Sequence, residues 1–166
     1  MIALPALLKR LAGQPPKPAR RRAMLKLDQR PALVYAIGDV HGCLAELRAL
    51  QDLIIEDAAD RPGDKLLVTI GDYVDRGPDS AGVIDFLGLP PPAGFSRICL
   101  AGNHEAMMLA HIQSPARNMQ WLDFGGDETL LSYGIPVDRY RRASQAQQRQ
   151  LLQSHIPDDL RTAVQN

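Results

Sequence analysis

Three short runs of this sequence set a glycine beside a carboxylate or an amide, with a histidine or an arginine close behind. They are Gly38-Asp39-Val40-His41-Gly42, Gly71-Asp72-Tyr73-Val74-Asp75-Arg76-Gly77 and Gly102-Asn103-His104-Glu105. In an extended turn alternate side chains project the same way, so Asp39 and His41 can grip one ion from a single loop. Carboxylate, imidazole and amide oxygen together suit Mn, Fe or Zn better than a soft-ligand metal. A carboxylate such as Asp72 can bridge two ions. Two ions roughly 3.5–4 Å apart lower the pKa of a bound water and clamp a phosphoryl oxygen. Arg76 adds a planar, permanently charged fork that matches two phosphate oxygens. His104, oriented by a carboxylate such as Asp75, can protonate a leaving alkoxide. The set points to in-line attack of a metal-bound hydroxide on phosphorus, without a phosphoenzyme.

Each residue has a plainer reading when taken alone. An Asp or Asn just before a helix, such as Asp39 or Asn103, is ordinarily an N-cap. A lone histidine near a strand end is ordinarily a hydrogen-bonded structural residue, and Arg76 by itself is a surface charge. The joint pattern is what outweighs these readings, because three glycine-polar turns of complementary chemistry each follow an apolar run.

Those runs are the elements that must position the site. Leu33-Val-Tyr-Ala-Ile37, Lys65-Leu-Leu-Val-Thr-Ile70 and Arg97-Ile-Cys-Leu-Ala101 read as short buried parallel strands, each ending at a glycine. Between them, residues 43–57 place Leu44, Leu47, Leu50 and Ile54 at helical spacing, and 79–88 is a short helix closed by Gly88 and Pro90-Pro-Pro92. A further helix is expected from about 104 to 113. Residues 117–134 read as two helices broken at Gly125-Gly126, and 143–154 is Gln-rich and mildly amphipathic. The fold class is α/β, with two βαβ crossovers. Right-handed crossovers bring the carboxyl ends of the strands to one sheet edge, where ligand sites in such sheets lie. The expectation is that each glycine turns the backbone sharply, so that Asp39, Asp72 and Asn103 converge.

The composition narrows the classes of function. At 166 residues the chain has the length of one domain, and 45% apolar with 23% charged residues is the balance of a globular protein. Residues 1–30 hold eight basic residues against one acidic residue, Asp28, so the remainder of this neutral chain carries a net charge of −7. An acidic body lacks the basic face of a nucleic-acid binder, so no nucleic-acid partner is expected. Lys9 to Arg22, with Pro15, Pro16 and Pro18, reads as a flexible basic arm, giving an arm over 1–30 and a catalytic domain over 31–166. The apolar start Met1–Leu8 precedes its charges, the reverse of a secretory signal. No run approaches the roughly 18 apolar residues of a membrane span, so a cytoplasmic protein is expected. Cys43 and Cys99 lie far apart with no CxxC partner and read as buried, inert thiols.

The segments GDVHG, GDYVDRG and GNHE, in this order, resemble the three N-terminal signatures of the phosphoprotein-phosphatase branch of the calcineurin-like metallophosphoesterases. The resemblance runs from about 33 to 134, and the stretch Trp121…Gly125-Gly126…Ser132-Tyr133-Gly134 looks like bacterial members. It implies a four-layer αββα sandwich, of which this chain supplies the N-terminal βαβαβ part. It also implies two divalent metal ions, manganese foremost. Asp39 and His41 would bind the first, Asp72 would bridge, and Asn103 would bind the second. His104 would be the acid with Asp75 as its orienter, and Arg76 and Asn103 would contact the substrate phosphate. The implied substrate is a phosphoprotein or a small phosphate ester, as for a serine/threonine phosphatase. The alternatives are a symmetrical dinucleoside tetraphosphate and a catalytically silent binding module. Family members supply two further metal-binding histidines from a second half, one in a His-Ala-Gly-like context. His111 and His155 match neither. The chain is therefore expected to be a truncated gene product or fragment with weak or no activity.

Overall fold

The computed structural model describes Leu27 and residues 29–157. Nearly all of the expected basic arm lies outside the described residues. Every element below belongs to one unit, Pro31–Asn166.

The three apolar runs form a parallel sheet in the order β1 (Leu33–Ile37), β2 (Lys65–Thr69), β3 (Phe95–Cys99). The register aligns Ile37 with Thr69 and Thr69 with Cys99, so the three strands finish level and their following loops start side by side. The crossovers are α1 (Leu44–Ala58) and α2 (Ser80–Gly88), and α3 (Asn103–Gln113) follows β3 after a short loop. This is the α/β, βαβαβ arrangement that the sequence led us to expect. Among the described residues there is no second sheet.

β3 begins two residues before its predicted start and stops at Cys99, with Arg97 in its middle. A cation is tolerated there because its guanidinium donates to the carbonyls of Leu87 (3.0 Å) and Leu89 (2.9 Å) at the end of α2, and to Gln51 Oε1 (2.9 Å). α2 starts where Asp79 Oδ1 accepts the N–H of Gly82 at 2.8 Å, an N-cap bond. After α3 come a 3₁₀ turn at Pro115–Arg117 and a wide turn at Leu122–Gly126, where Gly125 takes φ 105° and breaks the helix as the sequence indicated. Three short helices follow: α4 (Asp127–Ser132), α5 (Val137–Arg142) and α6 (Gln145–His155). α5 was not predicted; it has no side-chain N-cap bond, and its last turn holds three arginines that suit a helix C-terminus.

The core lies on one face of the sheet. Ile37 and Leu67 pack there with Leu47 and Ile54 of α1, Val83 of α2, Met108 of α3, and Trp121, Leu130, Tyr140 and Leu152 from the later helices. The strands are therefore not buried on both faces, contrary to the reading of their apolar runs. Val34, Ile70 and Leu100 point away from the core and are 59%, 51% and 49% exposed. Leu50, expected on the buried stripe of α1, is also exposed. Cys99 is exposed and Cys43 half-buried, which corrects the expectation of two buried thiols. Among the described residues no helix is long and apolar enough to cross a membrane.

Candidate active site

The loops after the three strands are joined through their backbones first. Val40 and His41 both donate N–H bonds to the Asp72 carbonyl, at 3.0 and 2.8 Å, and Gly42 donates to Tyr73 O at 2.8 Å. The third loop is tied to the second by Glu105, a fully desolvated carboxylate. Its Oε2 accepts from Asp72 N (2.8 Å) and Gly102 N (2.7 Å), while Oε1 accepts from Tyr73 N (2.7 Å) and Val74 N (3.3 Å). One side chain thus satisfies four backbone donors that no helix or strand pairs. No function was assigned to Glu105 from sequence. The signal was present, because a glutamate at the third position of a helix commonly bonds back to its N-cap.

The glycines behave differently from expectation. Gly71 does take a positive φ of 103°, and a Cβ there would collide with the Gly102 backbone. Gly38 has open space around it and Gly102 is extended, so neither supplies a left-handed turn. Non-glycine residues carry that conformation instead: His41 (φ 44°), Asp72 (52°), Asp75 (73°) and Arg76 (68°). Each costs about 1–3 kcal/mol and persists only where surrounding contacts over-determine it, and such residues cluster at functional sites.

His41, Asp72 and His104 bring one ligand atom each to within 4.8 Å of one another. His41 Nδ1 lies 2.9 Å from the Val74 carbonyl, which can only accept, so Nδ1 carries the proton and Nε2 keeps its lone pair. His104 Nδ1 donates to Asp75 Oδ2 at 2.7 Å, which leaves its Nε2 in the same state. The Arg76 guanidinium, a pure donor, reaches both lone pairs, at 2.9 Å to His41 and 3.1 Å to His104. Asp39 stands outside this group, its Oδ2 3.9 Å from His41 Nε2 and its side chain 64% exposed. Asn103 opens α3, is exposed, and makes no side-chain hydrogen bond among the described residues. The donor set fits a hard or borderline divalent cation: two imidazole lone pairs, the Asp72 carboxylate, and the free oxygens of Asp39 and Asn103.

Asp75 is completely buried. Burial pushes its carboxyl above the usual carboxylate range, while hydrogen bonds from His104, Thr129 and Trp121 pull it back down. Neither Trp121 nor Thr129 was assigned to the site from sequence. The two remaining histidines, His111 and His155, lie apart from this group. His111 is buried, donating Nδ1–H to Asn118 O (3.0 Å) and accepting from Tyr140 OH (2.7 Å). His155 is exposed, beside Ser154. A shallow cavity of about 640 Å³ adjoins Arg76, lined by Phe124, Asp123, Asp127, Glu128 and Arg141. Arg141 is already engaged there by Asp127 (2.8 Å) and Asp123 (3.4 Å).

The strand-end loops gather two histidines, a carboxylate and an arginine at one sheet edge, the donor chemistry of a metal-dependent phosphoesterase. The chain belongs to the calcineurin-like phosphoesterase family, whose model matches residues 32–160. Curated relatives bear two different names. The symmetrical bis(5'-nucleosyl)-tetraphosphatase of Methylococcus capsulatus is 49% identical over 78 residues, which is 46% of this chain and 25% of that one. Serine/threonine-protein phosphatase 2 of Escherichia coli is 37% identical over 94 residues, covering 57% and 38%. Serine/threonine-protein phosphatase 1 of Salmonella typhimurium is 35% identical over 95 residues, covering 57% and 39%. The chain thus spans between a quarter and two fifths of the length of these relatives.

Proposed function

We propose that this site serves hydrolysis of a phosphate monoester, with a phosphorylated serine or threonine of a protein as substrate. The observation that carries the reading is the placement of Arg76 between His41 Nε2 and His104 Nε2, with Asp75 behind His104. A phosphate dianion offers the guanidinium better acceptors than two neutral nitrogens. Once Arg76 turns to phosphate, His104 Nε2 is free to hold the proton that the leaving alkoxide needs. Asp75 fixes the ring and stabilises its charged form. Two divalent cations, manganese foremost, held by Asp39, His41, Asp72 and Asn103, would supply Lewis-acid activation of water and of a phosphoryl oxygen. Asn103 would also contact the phosphate.

The acidity of the neighbouring cavity favours a protein substrate. Three carboxylates line it against two arginines, Arg76 at the site itself and Arg141, which two of the carboxylates already engage. A tetraphosphate carries several negative charges into that field, whereas a phosphoserine in a chain carries one dianion held at Arg76. The rival reading, a symmetrical dinucleoside tetraphosphate, draws on the 49% identity to the M. capsulatus protein. Cytoplasmic residence is proposed because both cysteines stay unpaired.

Purified chain titrated with Mn and assayed on p-nitrophenyl phosphate tests the reaction. His104→Asn is expected to lower kcat by about 10²–10⁴-fold. A wild-type chain with no turnover at any Mn concentration would reject the hydrolytic reading. A phosphopeptide and diadenosine tetraphosphate assayed side by side decide the substrate. Melts with and without millimolar Mn isolate the silent module, which would show no shift.

A further inference from the structure

The stretch from Trp121 to Ser132 has no part in the chemistry just described, yet it reaches the site at several points. Trp121 is fully buried, and its indole Nε1–H is shared by both oxygens of Asp75, at 3.0 and 2.9 Å. Thr129 is equally buried and makes two bonds to the same residue. Its Oγ1 accepts the Asp75 N–H at 2.8 Å and donates to Asp75 Oδ1 at 2.8 Å. A hydroxyl has one proton, so at the 3.1 Å contact Ser80 Oγ must be the donor to Thr129. With His104 on Oδ2, both oxygens of Asp75 are paired.

The neighbouring residue is held by the same stretch. Arg76 donates its N–H to Gly125 O at 3.1 Å. A Cβ on Gly125 would sit 2.5 Å from Arg76 N and 2.8 Å from its Cγ, and Gly125 itself takes φ 105°. A Cβ on Gly126 would meet the Trp121 indole at 2.6 Å. Ser132 Oγ accepts from Ala81 N at 3.1 Å, anchoring α4 to the start of α2. Asp75 and Arg76 are two of the four non-glycine residues with left-handed backbone among the described residues, so they need such anchors.

We infer that Trp121–Ser132 is a positioning bracket, in which Trp121 and Thr129 lock the Asp75 carboxylate so that His104 keeps one ring orientation and one tautomer, while Gly125 seats Arg76. Trp121 and Thr129 are positioning residues; they touch Asp75 and act on His104 through it. The spacing of the motif follows from this. The tryptophan and the threonine flank a glycine pair because the chain must double back around Arg76 to bring both to one carboxylate.

The role of the bracket in turnover rests on the proposed hydrolysis, but its action on His104 does not. The test is therefore read on the His104 ring in metal-free protein, by long-range 1H–15N correlation and by exchange of the Nδ1 proton. Wild type is expected to show a single Nδ1–H tautomer with a protected proton. Thr129→Val, which is isosteric, is expected to speed that exchange about tenfold or more, or to mix the tautomers, while Thr129→Ser restores the wild-type signal. Trp121→Phe is the second variant, and melts establish that each chain is folded. A His104 ring unchanged in both Thr129→Val and Trp121→Phe overturns the bracket. p-Nitrophenyl phosphate turnover of the same variants is a separate arm. Wild type without turnover would sink the hydrolytic reading alone, and a perturbed ring in Thr129→Val would still support the bracket.

Discussion

At the residue scale the site is a set of neutral imidazoles whose proton positions are fixed by what faces them. Carbonyl and carboxylate partners hold the Nδ1 protons of His41 and His104. The same logic makes His111 a pH sensor of stability, remote from the chemistry. Burial lowers its pKa from the ordinary 6.5, opposed by its bond to Asn118. The unfolded chain therefore takes up a proton near pH 6.5, while the folded chain resists until lower pH. A lowered histidine pKa thus contributes no penalty at pH 7, and stability is lost progressively as pH falls below about 6.5. Urea midpoints across pH 7.5 to 5 should show this decline. His111→Gln should cost about 1–3 kcal/mol at pH 7 through its disturbed bond to Tyr140, yet flatten the slope. An equal slope in the variant would assign the effect to another group. The residues proposed to face the reaction, Asp39, His41, Asp72, Arg76, Asn103 and His104, stand out in the sequence because their types and spacing are chemical, and the structure brings His41, Asp72 and His104 together. Glu105, Trp121 and Thr129 do not stand out, because their work is to satisfy groups far away in sequence. Thr129 and Asp75 are 54 residues apart, and no local pattern announces that bond.

At the element scale, the sheet order and the two crossovers followed from apolar runs, glycine ends and helical spacing. The misjudged boundaries have particular causes. β3 includes Arg97 because carbonyls at the end of α2 receive its guanidinium, a tertiary contact that strand propensity cannot anticipate. α5 was missed because Val137–Arg142 has no side-chain cap and only one fully buried residue, Tyr140. The wide turn between Leu122 and Gly126 was legible as a break, but not as a seat for Arg76. Gly125→Ala tests that element. Positive φ and the Arg76 backbone together should make it destabilising by about 1–3 kcal/mol, seen as a lower denaturation midpoint. Turnover of p-nitrophenyl phosphate should fall more than stability alone explains. Gly88→Ala, at a position where a Cβ meets nothing within 4 Å, is the control and should leave both unchanged.

At the scale of the whole molecule, the sheet is two-sided in sequence and one-sided in structure. Val34, Leu66, Val68 and Ile98 alternate with the core-facing positions, yet Val34 is 59% exposed while Leu66 is buried, and nothing in a run such as Leu-Leu-Val distinguishes a covered position from an open one. Parallel strands almost always have both faces covered, so an apolar face at the exposures of Val34, Ile70 and Leu100 is a liability. Of its outer strands, β1 carries neither a proline nor a charge, and β3 carries one inward charge, Arg97. The chain by itself should therefore bind 8-anilinonaphthalene-1-sulfonate in its native state and self-associate as its concentration rises. Both are measurable, by fluorescence and by sedimentation velocity. Replacing Val34 and Leu100 with lysine should suppress both, since the new charges fall on the open face and disturb no core contact. Each exposed substitution should change stability by only a few tenths of a kcal/mol. Dye binding that persists in this double variant would place the exposed apolar surface elsewhere, with Leu53, Phe124 and Leu131 the next to change.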